Sequence, residues 1–213
     1  VSRAATEAAI RGLPSEVSFS LNVYARGLDF WMKKMRSSGH EVLLEMPSEP
    51  ANFPFDDPGP AALRALAPLQ ENIQKLEFIL SRTSGYFGVI SIYGGKFLKV
   101  EDQVRGVLEQ LNRRGLMYVD GGAVGSQGTR VAYKQKMPWA SVELNLDEVL
   151  GKAALLRQLK ELEALAEKRS MTMARITATP LSLKLLSNWI QELPSKRMRL
   201  VPVSALANKQ LIR

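Results

Sequence analysis

Short runs of aliphatic and β-branched residues alternate along this chain with stretches whose apolar positions recur every three to four residues, and that alternation restricts the fold more than any other feature. Residues 4–12 favour a helix closed by Gly12 and Pro14, after which Val17, Phe19, Leu21 and Val23 alternate with polar neighbours as a strand does. Helical spacing returns over residues 28–35, Gly39 ends it, and Val42, Leu43 and Leu44 read as a buried strand. Residues 72–80 predict a helix and residues 85–92 a strand. Residues 101–112 form an amphipathic helix through Val104, Val107, Leu108 and Leu111, and residues 116–119 a strand running into Asp120. Residues 121–135 are poorly patterned, with room for a short helix. A short strand is expected over 141–144, the longest helix over 147–168, a strand over 171–177, a helix carrying Trp189 over 181–193, and a closing strand over 200–203. The stripe Leu155, Leu156, Leu159, Leu162, Leu165 lasts too few heptads for a coiled coil and is assigned to the core.

Repeated strand–helix units build a parallel sheet, and strands this short and numerous favour a closed or nearly closed (β/α) barrel in a single α/β domain over an open sheet. A chain of 213 residues, 46% of them hydrophobic, suffices for one core of that kind. In such barrels the chemistry collects at the carboxyl ends of the strands. Glu45 and Glu49, residues 91–96, Asp120 and residues 177–179 all follow predicted strands and are expected to share one face. Residues 47–60, with several prolines, are too long for an ordinary connection and are expected to be a functional loop or a lid.

Charge narrows the function classes. Lys and Arg total 29 against 21 Asp and Glu, a formal charge of +8, but Lys33, Lys34, Arg36, Arg113, Arg114, Lys168 and Arg169 fall near predicted helix ends, where cations complement the helix dipole. No helix-turn-helix or aromatic–basic single-strand-binding pattern is present, so no nucleic-acid role is expected. The absence of cysteine excludes disulfides, thiolate metal sites and a cysteine nucleophile. No apolar run approaches the length of a transmembrane segment, and the first residues carry no signal-peptide pattern, so an export signal or anchor is expected outside this chain.

The carboxylates of Glu45 and Glu49 end a hydrophobic strand core, where an unpaired charge costs several kcal/mol unless it reaches solvent, a lysine or a ligand. Phe53, Phe55 and Tyr93 are candidates to stack on sugar rings or to pack on their own barrel, and Asp56 and Asp57 to cap or turn the chain or to bind a sugar hydroxyl. His40, the sole histidine, is assigned a structural role.

The segments Ala25-Arg26-Gly27-Leu28-Asp29, Gly39-His40-Glu41-Val42-Leu43-Leu44-Glu45-Met46-Pro47-Ser48-Glu49-Pro50, Asp57-Pro58-Gly59-Pro60, Gly94-Gly95-Lys96-Phe97, Arg114-Gly115-Leu116 with Asp120, and Leu200-Val201-Pro202-Val203-Ser204 together resemble the divergent polysaccharide deacetylase family. The resemblance implies an irregular (β/α) barrel of the NodB-like superfamily that removes acetyl groups from a glycan with a metal-bound water, in the periplasm or cell envelope. It also implies that the family's first strand, with its aspartate pair, lies upstream of residue 1. Glu45, Ile92 and Thr177 stand where the family often carries histidines, Glu49 at the next ligand position, and Asp120 looks kept. A site of Glu45 and Glu49 with Asp120 as base suits an oxygen-bound divalent cation, Ca²⁺, Mg²⁺ or Mn²⁺, more than zinc. Phe53, Phe55, Asp57, Tyr93 and Lys96 are the expected substrate contacts. If Lys96 instead pairs with one of the carboxylates, it replaces the metal, as in a domain that has given up catalysis. The leading expectation is a domain with a degenerate metal site that binds or regulates an envelope glycan or other envelope polymer. The alternatives are an active deacetylase with a carboxylate-rich centre and a non-catalytic partner-binding envelope protein.

Overall fold

In the computed structural model, which describes residues 2–148 and 151–212, the alternation becomes a wall of parallel strands backed by helices. The chain runs α1 (Arg3–Gly12), β1 (Phe19–Leu21), α2 (Leu28–Ser37), β2 (Val42–Ser48), α3 (Leu69–Ser81), β3 (Gly88–Tyr93), α4 (Glu101–Arg113), β4 (Met117–Asp120), α5 (Gly128–Lys134) and β5 (Trp139–Ser141). It continues through β6 (Leu144–Asn145), α6 (Lys152–Arg169), β7 (Ala174–Arg175) and α7 (Pro180–Glu192). Strands β1 to β5 pair in sequence order, all parallel, and β6 and β7 form a separate parallel pair. Each of α2 to α5 carries the chain from one strand to its parallel neighbour. This is the expected irregular (β/α) barrel.

The wall has two apolar faces. Val42, Leu44 and Met46 of β2, Val89 of β3, Tyr118 of β4 and Trp139 of β5 pack outward on the helices, whose contribution includes Met32 and Met35 of α2, Leu76 and Ile79 of α3 and the predicted Val104, Val107, Leu108 and Leu111 of α4. Leu43, Ile90, Met117, Val119 and Ala140 point the other way, into the barrel, against Val142, Met173, Val203 and Leu206. Burial on both faces is what a parallel sheet demands of its strands, and β2 accordingly reads as a nearly unbroken apolar run. Leu155, Leu159 and Leu162 of α6 are buried, in part against Leu185 of α7, while Leu156 turns outward.

Three expectations are corrected. Residues 200–203 form no strand: Pro202 has no N–H to give to a ladder, the Val203 N–H donates to Ser18 Oγ at 3.0 Å, and a short 3-10 turn, Val203–Leu206, follows. The strand expected over 141–144 is split between β5 and β6, and the long helix begins at Lys152 instead of Asp147, residues 149 and 150 lying outside the described residues. The outer edge of β5 is covered by polar side chains of the tail. Asn208 accepts from the Trp139 N–H at 3.1 Å while its own N–H reaches the Trp139 carbonyl at 2.9 Å, and Gln210 brackets the Ser141 backbone at 2.6 and 2.8 Å. His40 is buried between the Val17 and Ile10 carbonyls, at 2.9 Å from Nδ1 and 3.3 Å from Nε2, and ties α1 to the start of β2.

Candidate functional site

Strand register decides which acids can meet. Glu45 is aligned with Ile90, and Ile90 with Val119, so its side chain shares their face and points into the barrel. Asp120 follows Val119 and shares the outward face with Tyr118. Glu45 and Asp120 therefore stand on opposite sides of the wall, and the expected meeting of Glu45, Glu49 and Asp120 on one face does not occur.

The inward face gathers a different polar set at the carboxyl ends of the strands. Ser20, aligned with Leu43, donates its hydroxyl to Glu45 Oε1 at 2.9 Å, and Asn22 follows it on the same face. Burial pushes the Glu45 carboxyl up, against the downward pull of the Ser20 and Asn22 side chains and of the Arg175 charge. Arg175 comes from β7, two residues after the inward-packed Met173, and its Nε is buried without a hydrogen-bond partner. Thr177 gives its N–H to Asp147 Oδ1 at 2.9 Å and its hydroxyl to Oδ2 at 2.8 Å. Glu45, Asn22, Ile92, Arg175, Asp147 and Thr177 line one cavity of about 1660 Å³.

None of Glu49, Asp120, Phe53, Phe55, Asp57, Tyr93 and Lys96 lines that cavity. Glu49 is buried, with Oε1 at 2.8 Å from Lys96 Nζ and Oε2 accepting from the Ala65 N–H at 2.8 Å. Burial alone raises its carboxyl, but the Lys96 and Ala65 contacts outweigh it and hold the group below the usual carboxylate range. The pairing of Lys96 with one of the carboxylates, which the sequence left open, is formed at Glu49. Phe53 lies under the Arg64 guanidinium, 3.7 Å from ring centre, Phe55 is 93% exposed, and Asp57 turns the chain by accepting from the Gly59 N–H at 2.9 Å. Tyr93, the last residue of β3, sits at φ 65° and is exposed.

Asp120 closes a buried network under the loop between β4 and α5. Its Oδ1 accepts from the Gly122 N–H at 2.9 Å and its Oδ2 from the Ser126 hydroxyl at 2.5 Å, with the Tyr118 hydroxyl 3.2 Å away. That hydroxyl is also 3.2 Å from Ser91 Oγ, which accepts from the Gly121 N–H at 2.9 Å. A Cβ on Gly121 would run into the Ser91 carbonyl oxygen, so the close approach of the two strand ends requires glycine there. Burial and the neighbouring Asp120 charge push the Tyr118 phenol well above its ordinary range, so it remains a neutral donor. Tyr118→Phe is expected to cost about 1 kcal/mol, a drop of about 2–4 °C in Tm by calorimetry.

Among the described residues, the donors at the mouth do not by themselves assemble a divalent-cation site. Arg175 already faces Glu45, Ile92 offers no donor atom, and Asp147 is committed to Thr177. Among the described residues no three Asp, Glu or His side chains converge. Sequence reasoning singled out Glu45 and Thr177 but missed Ser20, Asn22, Asp147 and Arg175. The signal for three of them was parity: Ser20 and Asn22 are the polar partners of the alternation Phe19, Leu21, Val23, and Arg175 shares the face of Met173 and Thr177.

No functionally curated protein matches this chain. Among solved structures it is similar to the uncharacterized protein ATU2773 from Agrobacterium tumefaciens C58, with a TM-score of 0.91 and 31% identity over 97% of this chain and 84% of that one. The sequence model of the divergent polysaccharide deacetylases matches residues 1–207. With the barrel, the inward acid of β2 and that match in hand, the chain belongs to the divergent polysaccharide deacetylase family.

Proposed function

We propose that this domain binds a cell-envelope glycan at the mouth formed by β1, β2 and β7 without hydrolysing it, as a binding or regulatory module of the periplasm or envelope. The observation that carries the reading is Glu45: a half-buried carboxylate whose surroundings penalise its charge, kept at a position where the family often has a histidine. Such a group is retained at a cost to stability, and a ligand donor repays it. Beside it, the unpartnered Arg175 Nε supplies a donor for an acetyl carbonyl or ring hydroxyl, and Glu45 an acceptor for a hydroxyl or amide N–H. The mixture of donors and acceptors on an apolar floor of Ile90 and Ile92 suits a sugar, which presents both.

Calorimetric titration with chitooligosaccharides and with peptidoglycan fragments tests this. Wild-type protein is expected to bind, with affinity about tenfold weaker in Glu45→Gln, the loss of about 1.4 kcal/mol expected for a charge-assisted hydrogen bond. Because the folded Glu45 carboxyl titrates above the usual value, affinity should begin to fall at a higher pH than for an ordinary glutamate. Acetate release by the wild type that disappears in Glu45→Ala would replace this reading with a hydrolase. Absence of binding to either glycan would remove the glycan itself.

A further inference from the structure

Charge is satisfied unevenly at the mouth, and the imbalance bears on what kind of sugar fits there. The acids have partners: Glu45 accepts from the Ser20 hydroxyl at 2.9 Å, and Asp147 from the Thr177 N–H and hydroxyl at 2.9 and 2.8 Å. The arginines do not. Arg175 Nε is shut off from water with no hydrogen-bond partner, and among the described residues its guanidinium forms no ion pair. Arg26, on the loop after β1, borders the same cavity and also forms no ion pair among the described residues.

The fold holds Arg175 in place. Strand β7 pairs with β6, with Asn145 opposite Arg175, and Ala174 and Ile176 on either side pack toward α6 and α7, which turns Arg175 inward with Met173. Glu45 lies within range of its charge, yet neither a hydrogen bond nor an ion pair joins the two. The gap separates a cation that lacks an acceptor from a carboxylate with acceptor sites to spare, since an ionised carboxylate offers about four and Ser20 and Asn22 engage only part of them. A neutral oxygen would satisfy the Nε–H but leave the charge uncompensated. A carboxylate does both, because the guanidinium edge that carries Nε presents two parallel N–H groups to its two oxygens, and such charged bonds are about twice as strong as neutral ones.

We propose that the glycan seated at the mouth is acidic: a sugar carboxylate pairs with the Nε edge of Arg175, and a hydroxyl of the same sugar donates to Glu45. The cavity, at about 1660 Å³, has room for more than one sugar, and Arg26 is a second cation for an acidic chain. The inference rests on the glycan reading of the mouth and narrows its ligand. The recognised group is one chemistry, a carboxylate, whether it belongs to a uronic acid ring or to a lactyl substituent.

The test compares matched sugars by calorimetric titration of the full chain. Trigalacturonate is set against the neutral trisaccharide made by reducing its carboxyl groups, and the N-acetylglucosamine–N-acetylmuramic acid disaccharide against chitobiose, so that ring and lactyl carboxylates are read separately. In at least one pair the acidic member is expected to bind at least about tenfold more tightly. That preference should fall to about twofold or less in Arg175→Met, which keeps the apolar stem, and survive in Lys184→Met, which removes an equal charge from an exposed position on α7. Arg175→Lys, which keeps the charge but loses the fork, should retain only part of it, and this variant decides if the methionine one does not fold. Three results overturn the proposal: equal binding of the acidic and neutral members in both pairs, which leaves the glycan reading standing; a preference undiminished in an Arg175 variant; or a preference lost as fully in Lys184→Met, which is the attraction of net charge alone. Binding of none of the four sugars removes the glycan reading and this inference with it.

Discussion

Asp120→Ala is expected to lower the unfolding free energy by about 3 kcal/mol and the melting temperature by about 6–12 °C, while glycan affinity at the mouth changes less than about twofold. Asp120 is 2% exposed and accepts from the Gly122 N–H and the Ser126 hydroxyl, with the Tyr118 hydroxyl 3.2 Å away. Alanine leaves all three under the loop without this acceptor, and each buried donor so orphaned costs about 1–3 kcal/mol. The sum is held to about 3 because removing the carboxylate also removes the cost of burying its charge. Asp120→Asn, which keeps an acceptor oxygen in place, should cost only about 1 kcal/mol. Thermal unfolding of the two variants, with titration at the mouth alongside, separates a loop-organising acid from a catalytic one. Undiminished stability in the alanine variant would show that the network does not hold the loop. Loss of binding in the still-folded asparagine variant would return Asp120 to the site, despite its place on the outer face of the wall.

The same face explains how far the sequence could be read. The units themselves were legible: Val104, Val107, Leu108 and Leu111 mark the buried stripe of α4, and Val42, Leu43 and Leu44 mark β2. Which of these strand residues turns inward was not legible. A parallel strand covered on both faces shows no alternation, so nothing in Leu43 or Leu44 separates barrel from helix layer. The parity of Glu45 and of Asp120 was hidden for that reason, and three acids that follow strands were expected together. Contacts between distant segments were hidden as well. The pairing of Asp147 with Thr177 spans 30 positions, and the approach of Arg175 to Glu45 depends on where β7 docks. By contrast the Lys96–Glu49 pair was legible as an option, because a buried acid at a strand end needs a counter-charge and Lys96 follows the next strand.

That pair carries the second large effect, and its pH dependence has a definite sign. Lys96→Met leaves Glu49, 5% exposed, with only the Ala65 N–H and the more distant Arg64 charge to offset its burial, and should cost about 2 kcal/mol near pH 7. The figure is below the roughly 3–5 kcal/mol of fully enclosed pairs because the Lys96 side chain is 45% exposed and water screens the bond. The folded Glu49 carboxyl lies below its ordinary value, so the pair's contribution is complete above the unfolded value of about 4.3 and is lost as pH falls through the lower folded one. Without Lys96, burial dominates and the folded value moves up. The variant's carboxyl then takes a proton at a higher pH than the wild type's, which relieves the buried charge. The difference between the two proteins should therefore be widest near neutrality and shrink toward about pH 3. Glu45 titrates with the opposite sign: its raised folded value favours the native state in acid and penalises it as pH rises through the unfolded value. Because that contribution is common to both proteins it cancels in their difference, and Glu45→Gln should be neutral or slightly stabilising near pH 7. Urea midpoints for wild type, Lys96→Met and Glu45→Gln at three pH values, with unchanged slopes, measure this. A Lys96→Met deficit that grows on acidification would mean that the lysine does not hold Glu49 in its charged form.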